Sequence, residues 1–454
     1  MTCPARSSVE ELVLEKIRPT PVQLRILSSL YRSIESTLGE CLPPEPEYRI
    51  EPVGSFAKGT LLSDKWEVDV FVLFRAGDEW VTNTGARLVR SCVSRRFPIV
   101  EKYSQHPYVT VELMGLEADI VPAVWVDKPR RRGLGVERTP FHTRYVMSRL
   151  DDCLRDDVRL LKSFLKGIGV YGAETRVKGF SGYLAELLVI AYGGFRRLLE
   201  EAAGWRPPVY VDPEGVGDRR ILERRYRDSP LIVVDPVDPA RNAAAAVSLR
   251  SLATFILASR LYLDAPGKWY FHAYTPRARL EPPPAGLVRV ECRGEFHREP
   301  PENLWGKASR LAQSLAQELR VRGFRVYATS FHTDESRIVA VEAALEELEL
   351  PPIEYVEGPA PWESLERVLR FLEKRLSDTG GVWVSSTGRL AGLRRRKITS
   401  AAQAAKRWAE TIARPSLRAG ECRVEVKRCQ EEVSEACIPT PPWLQAALAS
   451  RAQR

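Results

Sequence analysis

The sequence predicts an α+β protein with several domains. Four segments rich in β-branched and aromatic residues are predicted as strands, at residues 48–53, 66–74, 108–113 and 116–124. Apolar or amphipathic helices are predicted between residues 152 and 262, and strands alternate with helices from residue 287 onward. A chain of 454 residues has room for about two to four domains with cores of their own.

The first 150 residues combine helices with these four strands. Residues 9–38 are predicted as two helices, the second of which starts at Pro21 and is capped by Thr20. A further helix is predicted at residues 86–93, and a Met-Gly turn joins the last two strands into a hairpin.

Helices dominate the middle of the chain, and short elements of both kinds follow. The middle part is predicted as helices at residues 152–168, 180–192 and 251–262, with a strand, a proline-rich turn and a helix start at 233–248. The second half is predicted as strands at 287–292, 324–329 and 380–387, helices at 303–322 and 362–375, a loop at 351–361, and a strand or helix at 338–347.

The composition indicates a basic globular protein. Hydrophobic residues make up 44% of the chain, and the net charge is +9. This positive excess favours a polyanionic partner such as nucleic acid, although generically basic proteins are common. No apolar run reaches the about 18 residues of a membrane span, and the N-terminus lacks the apolar core of a secretory signal. We therefore expect a cytoplasmic protein without membrane contact.

The eight cysteines are scattered and include no C-x-x-C pair. The loose group of Cys422, Cys429 and Cys437 fits no zinc-binding spacing. We therefore expect buried thiols in a cytosolic protein. Few methionines beside many arginines and prolines are a weak indication of a thermophilic source.

Three acidic residues lie within two apolar strands. Glu67 and Asp69 are two positions apart in WEVDVFVLF, so they point to one face while the alternating valines face a core. Asp119 lies in a second apolar strand, LEADIVP, and the three carboxylates converge if these strands are neighbours. Such an oxygen cage suits Mg²⁺. Each acid alone could be a solvated strand end, but three unpaired buried carboxylates would be costly.

A glycine-containing turn precedes the acidic strand, in GSFAKGT. Gly54 and Ser55 can offer backbone N–H groups and a hydroxyl to the phosphates of a substrate. The lysine at position 58 adds a positive charge next to this turn. The turn and the acids together indicate a site for a metal-bound phosphate.

The motif G-S-x-x-K-G-T, the E-x-D pair and the third acid resemble the nucleotidyltransferase superfamily of DNA polymerase β type. The longer segments RTPFHTRYV, RLLKSFLKGIGVYGAETRVKGFSGYLAELL, VVDPVDPARN and NLWGKASR resemble the archaeal class of CCA-adding enzymes, over most of the chain. One departure is Lys58, which stands where an arginine is common in this family. Lysine keeps the charge but loses the bidentate fork.

The resemblance implies a domain order. Residues 1–150 would form a polymerase β-like nucleotidyltransferase head with a mixed or antiparallel sheet, and residues 151–265 a helical neck that binds nucleotide and tRNA. Residues 266–454 would form an α+β body with an inserted tRNA-binding tail at about residues 303–385. The resemblance also implies a homodimer.

The same resemblance implies the catalytic and metal-binding residues. Glu67, Asp69 and Asp119 would hold two Mg²⁺ ions for transfer of a nucleotidyl group to a 3′ hydroxyl, with release of pyrophosphate. Glu67 and Asp69 would bind both ions, and Asp119 would complete the site of the ion at the attacking oxygen.

A larger set of residues is implied to bind the incoming nucleotide, namely Gly54, Ser55, Lys58, Thr139, His142, Lys162, Tyr171 and Arg241. Without the resemblance, simpler readings hold for three of them. Lys162 could be exposed on an amphipathic helix, and His142 could be a loop residue whose polar atoms are all hydrogen-bonded. Tyr171 could be a core aromatic residue whose hydroxyl contacts solvent.

The resemblance assigns Arg241 to the edge of the base and to tRNA phosphates. An arginine presents only donors, which suits C and A because both carry an acceptor beside an exocyclic amine. U and G present an N–H where that acceptor should be. Asp238 could orient Arg241, but the spacing favours a cap of the following helix, and Asn242 could be another cap.

Candidate RNA contacts are the basic run at Arg394, Arg395 and Arg396 and the basic loop at residues 130–132. Charge runs are usually solvated surfaces, so both readings stay open. Double-helical RNA is read mainly through backbone shape. That suits an enzyme that accepts every tRNA by its acceptor stem and TΨC arm.

The resemblance therefore implies a template-independent CCA-adding tRNA nucleotidyltransferase, which adds C, C and A from CTP and ATP. A poly(A) polymerase or oligoadenylate synthetase on the same scaffold is the first alternative and would use ATP repeatedly. A non-catalytic RNA-binding relict is the second alternative, and the intact acidic trio argues against it.

Overall fold

The computed structural model describes residues 6–103, 107–128, 135–274, 285–430, 434–437 and 440–452. It divides into two compact units, Met1–Ala278 with Thr440–Arg454, and Arg279–Pro439. Both units contain helices and sheets, so the predicted α+β class is confirmed. No helix within the described ranges combines the length and the apolar character that crossing a bilayer requires.

The first unit begins with helices around a five-stranded sheet. Its strands are β1 (Tyr48–Val53), β2 (Glu67–Phe74), β3 (Ile99–Tyr103), β4 (Pro107–Leu113) and β5 (Leu116–Val124). Its helices are α1 (Ser8–Ile17), α2 (Pro21–Cys41), α3 (Gly54–Lys58), α4 (Asp78–Trp80) and α5 (Ala86–Val93). Thr20 caps α2 as predicted, because its side chain accepts from the backbone N–H of Gln23 at 3.1 Å.

The order of the sheet is β1-β2-β5-β4-β3, in which β2 and β5 are parallel and the other pairs antiparallel. The alternating valines of β2 are buried in a core with the apolar faces of α2 and α5, as the period of two requires. The opposite face of β2 therefore carries Glu67 and Asp69. Strand β3 had not been predicted, because its apolar pattern is short.

A mainly helical part completes this unit. Its helices are α6 (Thr139–Arg149), α7 (Asp152–Gly167), α8 (Gly182–Tyr192), α9 (Phe195–Ala202), α10 (Arg219–Arg225) and α11 (Leu249–Asp264). A small sheet consists of β6 (Val209–Val211), β7 (Leu231–Asp235) and β8 (Asp238–Asn242). The proline-rich turn thus leads into a strand and not, as predicted, directly into a helix.

The second unit contains two sheets. A four-stranded sheet has the order β10-β11-β9-β15, with β9 (Gly286–Arg293), β10 (Val326–Thr333), β11 (Ile338–Leu345) and β15 (Glu421–Arg428). A three-stranded sheet has the order β12-β14-β13, with β12 (Ile353–Glu357), β13 (Val382–Val384) and β14 (Leu390–Arg395). Its helices are α12 (Pro301–Val321), α13 (Leu365–Asp378), α14 (Ala401–Trp408) and α15 (Arg414–Leu417), and α16 (Pro442–Ala452) belongs to the first unit.

Strand β12 differs from the sequence prediction for this unit, and strand β11 decides between two predicted alternatives. Residues 351–361 are not simply a loop, because β12 pairs there with β14 and so uses its backbone hydrogen bonds in a ladder. The ambiguous segment at 338–347 is strand β11, whose side chains alternate against the core formed with α12.

The expectation of buried thiols is wrong for the seven cysteines in the described ranges, because all of them, Cys153 included, are disulfide-bonded. Disulfides join Cys41 to Cys92, Cys292 to Cys422, and Cys429 to Cys437. Cys292 and Cys422 are register partners in the β9–β15 ladder, 130 residues apart in the chain. Only the strand pairing brings them together, so sequence spacing gave no signal.

An aromatic cluster supports the helix that carries Lys162. Phe164 of α7 is fully buried, and five other rings lie 5.7–6.3 Å from its ring centre, those of Phe195, Phe255, Tyr262, Tyr270 and Phe271. Aromatic pairs at such distances favour edge-to-face and offset packing. The cluster fixes α7 within the helical part.

We predict that Phe164→Ala lowers the free energy of unfolding by about 3–5 kcal/mol, because it leaves a cavity among five rings. Phe164→Leu keeps more of the volume and should cost clearly less. Urea unfolding followed by near-ultraviolet circular dichroism measures both. Equal stability of Phe164→Ala and wild type would contradict this role of the cluster.

Candidate active site

Three acidic side chains meet where β2 and β5 run side by side. In the parallel ladder Asp69 is the register partner of Asp119, and Glu67 lies two positions before Asp69 on the same face. Thr110 of β4 donates its hydroxyl to Asp119 Oδ1 at 2.6 Å, and Lys65 Nζ lies 2.9 Å from Glu67 Oε2. The structure thus brings the three predicted acids together.

The acids influence one another electrostatically. Burial and the charges of Glu67 and Asp119 raise the pKa of Asp69 to about 7, against the opposing influence of Lys58 and Lys65. The carboxylates are therefore close enough to repel each other, and a divalent cation between them would relieve this repulsion.

The oxygen atoms of the three acids form the donor set that a metal ion would meet. Within the described ranges, no group of three or more His, Cys, Asp or Glu side chains already encloses a metal-sized position. Glu67 is engaged by Lys65 in the present arrangement. Because the three acids offer only oxygen atoms and repel one another, their chemistry fits a hard cation such as Mg²⁺ once Glu67 turns from Lys65.

Gly54 brings backbone next to the carboxylates. Its φ of +67° is a conformation that favours glycine, and a Cβ on Gly54 would lie 1.8 Å from Asp69 Oδ2. Gly54 and Ser55 form the first turn of the short helix α3, which ends at Lys58. Any larger residue at position 54 would displace Asp69.

A buried carboxylate holds the two predicted lysines. Glu186 of α8 accepts from Lys58 Nζ at 2.7 Å, from Lys162 Nζ at 3.0 Å and from the Thr60 hydroxyl at 2.7 Å. Burial opposes the charge of Glu186, but Lys162 and Lys58 lower its pKa to about 2. Lys162 is itself buried, so the reading of an exposed helix residue is wrong.

Tyr171 lies beside this cluster. A Cβ on Gly182 would lie 3.0 Å from the Tyr171 hydroxyl oxygen and 3.6 Å from Lys162 Cε. Burial, followed by the charges of Glu186 and Glu67, raises the pKa of Tyr171. The phenol therefore stays neutral, close to both the lysines and the acids.

A second buried carboxylate organises His142 and Arg241. Asp235, at the end of β7, has no exposed side-chain surface. Its Oδ2 accepts from Arg241 Nη1 at 2.8 Å and from His142 Nε2 at 3.0 Å, and its Oδ1 accepts from the Tyr183 hydroxyl at 2.9 Å and the Val237 N–H at 3.0 Å. Burial lowers the pKa of His142, and the hydrogen bond to Asp235 opposes this effect.

Thr139 and His142 lie one turn apart on α6, with Thr139 at its start. The Thr139 carbonyl accepts from the hydroxyl of Thr143 at 3.0 Å. The imidazole of His142 stacks on the ring of Tyr183, with the ring centres 4.0 Å apart. His142 is thus part of a side-chain network rather than an isolated loop residue.

The structure corrects two predictions for the turn at residues 235–242. Asp238 lies in β8 and pairs with Arg138 at 3.1 Å, and Ser248 caps α11 instead. Asn242 is not a helix cap either, because its side chain accepts from the N–H groups of Val233 and Ala244 within the hairpin.

The basic run lies on β14 in the second unit. Arg394 and Arg396 both pair with Glu354 of β12, and Arg396 also donates to the Arg322 carbonyl at 3.0 Å. Arg395 is exposed, its Nε donates to the Asp378 carbonyl at 3.4 Å, and its backbone N–H donates to Asp378 Oδ2 at 3.2 Å. The basic loop at 130–132 lies outside the described residues.

Sequence reasoning missed Glu186, Tyr183 and Asp235. Glu186 and Tyr183 are three positions apart on α8, a helix that is otherwise so apolar that an acid within it was a usable signal. Asp235 ends a fully apolar strand, LIVVD, which was a similar signal.

Comparison with known proteins gives a consistent result. A nucleotidyltransferase domain matches residues 32–155, the second domain of tRNA nucleotidyltransferases matches residues 156–272, and the C-terminal domain of CCA-adding enzymes matches residues 296–415. Among solved structures, the Cid1 poly(U) polymerase has a TM-score of 0.45 at 16% identity, over 57% of this chain and 94% of that chain.

Curated relatives match over nearly the full chain. The CCA-adding enzyme of Aeropyrum pernix is 46% identical over 96% of this chain and 95% of its own length. The CCA-adding enzyme of Sulfurisphaera tokodaii is 36% identical over 96% of this chain and 100% of its own length. Because such identities extend over almost all of both chains, this chain belongs to the family of CCA-adding enzymes.

Proposed function

We propose that this protein is a template-independent, cytoplasmic tRNA nucleotidyltransferase that adds C, C and A to the 3′ end of tRNA from CTP and ATP. The observation that supports this most is the side-by-side placement of Asp69 and Asp119, with Gly54 against Asp69, in a chain of this family. The disulfides are compatible with the cytoplasm of a thermophile, because intracellular proteins of hyperthermophiles are often disulfide-rich.

The residues of the first unit divide the chemistry between them. Glu67, Asp69 and Asp119 are the proposed ligands of two Mg²⁺ ions, which when bound would activate the 3′ hydroxyl and neutralise the pyrophosphate leaving group. The turn at Gly54 and Ser55 would bring backbone N–H groups to the triphosphate. Lys58 would supply positive charge beside it.

The helical part would hold the rest of the nucleotide. Lys162 shares the carboxylate of Glu186 with Lys58, and the charge of Glu186 also acts on Tyr171. We therefore assign Lys162 and Tyr171 to the triphosphate, together with Thr139 and His142. Arg241 would read the base. Its guanidinium matches the acceptors of C and A and opposes the N–H that U and G present.

We propose that the second unit contributes to RNA binding through backbone contacts. An inserted tail at about residues 303–385 would reach the TΨC arm, and Arg394, Arg395 and Arg396 would add positive charge. The active form would be a homodimer.

One experiment separates this proposal from its alternatives. The protein is incubated with Mg²⁺ and a tRNA that lacks its last three nucleotides, together with each labelled nucleoside triphosphate. Addition of C, C and then A supports the proposal. A ladder of A residues supports a poly(A) polymerase, and no incorporation supports a non-catalytic RNA-binding protein.

We predict that Asp69→Asn and Asp119→Asn each lower the rate of CTP incorporation by at least about 10³-fold, because the metal contribution is worth several kcal/mol. Asp127→Asn is the control, since Asp127 is an exposed acid that lies beyond the end of β5, eight positions after Asp119. It should stay within about threefold of wild type. Single-turnover assays measure all three, and an active Asp69→Asn protein would refute the site.

We predict that the stability difference between wild type and Glu186→Gln narrows as the pH falls. The folded-state pKa of Glu186 is about 2, against an ordinary value of 4.5. Ionised Glu186 therefore stabilises the fold fully above about pH 4.5, and this stabilisation is lost as the pH falls toward 2. Urea unfolding at about pH 6 and about pH 3 tests this. A constant difference would contradict the buried ion cluster.

We predict that Arg395→Ala weakens tRNA binding and reduces the slope of log affinity against log salt by about one. The guanidinium of Arg395 donates to the Asp378 carbonyl, whereas Arg394 and Arg396 are balanced by the carboxylate of Glu354. Arg423→Ala, which removes an exposed arginine of β15 paired with Glu421 outside the proposed tail, is the control. An unchanged slope for Arg395→Ala would show that Arg395 is merely solvated.

A further inference from the structure

Asp235 is held in place on all sides. Both of its carboxylate oxygens accept two hydrogen bonds, and the donors come from separate parts of the first unit, since His142 lies on α6, Tyr183 on α8 and Arg241 on β8. Burial would raise the pKa of Asp235, but these donors hold it well below its ordinary value. An ionised carboxylate in such a cage cannot rotate without breaking charge-assisted hydrogen bonds.

Arg241 depends on this carboxylate for its orientation. One N–H of its Nη1 is used by Asp235 at 2.8 Å, which leaves at most four of the five guanidinium N–H groups for a ligand. The Arg241 side chain is 36% exposed, so part of the guanidinium is accessible. A long, flexible side chain is thus fixed at one corner and presents its remaining donors in one plane.

His142 shares the same oxygen atom with Arg241. Because ionised Asp235 can only accept, His142 Nε2 carries a proton and Nδ1 faces away from Asp235. Stacking with Tyr183 fixes the plane of the ring. Asp235 therefore links Arg241, which we assign to the base, to His142, which we assign to the phosphates.

We propose that Asp235 is a specificity-determining positioning residue, which fixes the donor plane of Arg241 so that the pocket rejects UTP. This inference rests on the proposed function. A fixed guanidinium meets the N–H of U with a donor, whereas a mobile guanidinium can tilt toward a neighbouring carbonyl and tolerate U. Tyr183 assists by holding Oδ1 of Asp235.

The neighbouring acid offers a matched control. Asp238 lies three residues further on in the same hairpin, and it pairs with Arg138 instead of Arg241. Asp235→Asn and Asp238→Asn remove the same charge from the same small sheet. Only the first of them leaves an amide group where Arg241 and His142 need an acceptor.

The experiment measures kcat/KM for CTP and for UTP in the first addition to tRNA lacking its last three nucleotides. We expect Asp235→Asn to lower the CTP preference over UTP at least about tenfold, which corresponds to about 1.4 kcal/mol of lost discrimination. Tyr183→Phe should lower it less, in the same direction. Asp238→Asn should stay within about twofold of wild type.

The outcomes are distinct. A wild-type preference in Asp235→Asn, or an equal loss in Asp238→Asn, overturns the positioning role alone. If Asp235→Asn does not fold, as judged by its thermal midpoint, Tyr183→Phe decides, and an unchanged preference in that variant overturns the proposal. A wild-type protein that adds neither C nor A to tRNA overturns both the proposed function and this inference.

Discussion

The parallel pairing of β2 with β5 is the constraint on which the site depends. Its register places Asp69 opposite Asp119, and the alternation of side chains along β2 puts Glu67 on the same face. A shift by one residue would turn the acids into the valine-rich core and the valines to solvent. The packing of the valine core and the convergence of the three carboxylates therefore require the same register. A slip by one residue would disrupt both.

Two buried anions organise the cations of the helical part. Glu186 gathers Lys58 and Lys162, and Asp235 gathers His142 and Arg241. A buried carboxylate that loses its partners is costly, so each cluster is held together by the penalty of leaving its charge uncompensated. Lys58 is in the first sheet region and Glu186 is on α8, so these pairs also join parts of the unit that are far apart in sequence.

Much of the fold, and the convergence of the three acids in the candidate site, could be predicted from the sequence. Strands β1 and β5 and helix α5 have the predicted bounds because their periods and flanking turns are local signals. The acids and the glycine turn were predicted from alternation and turn chemistry, and the nucleotide-binding roles, which stay predictions, from the resemblance. Among the failures were β12, which needs its partner β14, and the disulfide of Cys292 with Cys422, which needs the strand register.

The sequence by itself determined the α+β class and the face on which Glu67 and Asp69 lie, because these follow from the backbone and its immediate neighbours. The need for glycine at position 54 depends on Asp69, which approaches it through space. Only the tertiary structure decided which anion each cation meets. The choice of Asp235 over Asp238 as the partner of Arg241 depends on how β7 and β8 pair and on which carboxylate is buried. Such contacts join residues through space, and a single sequence carries no local pattern that distinguishes them.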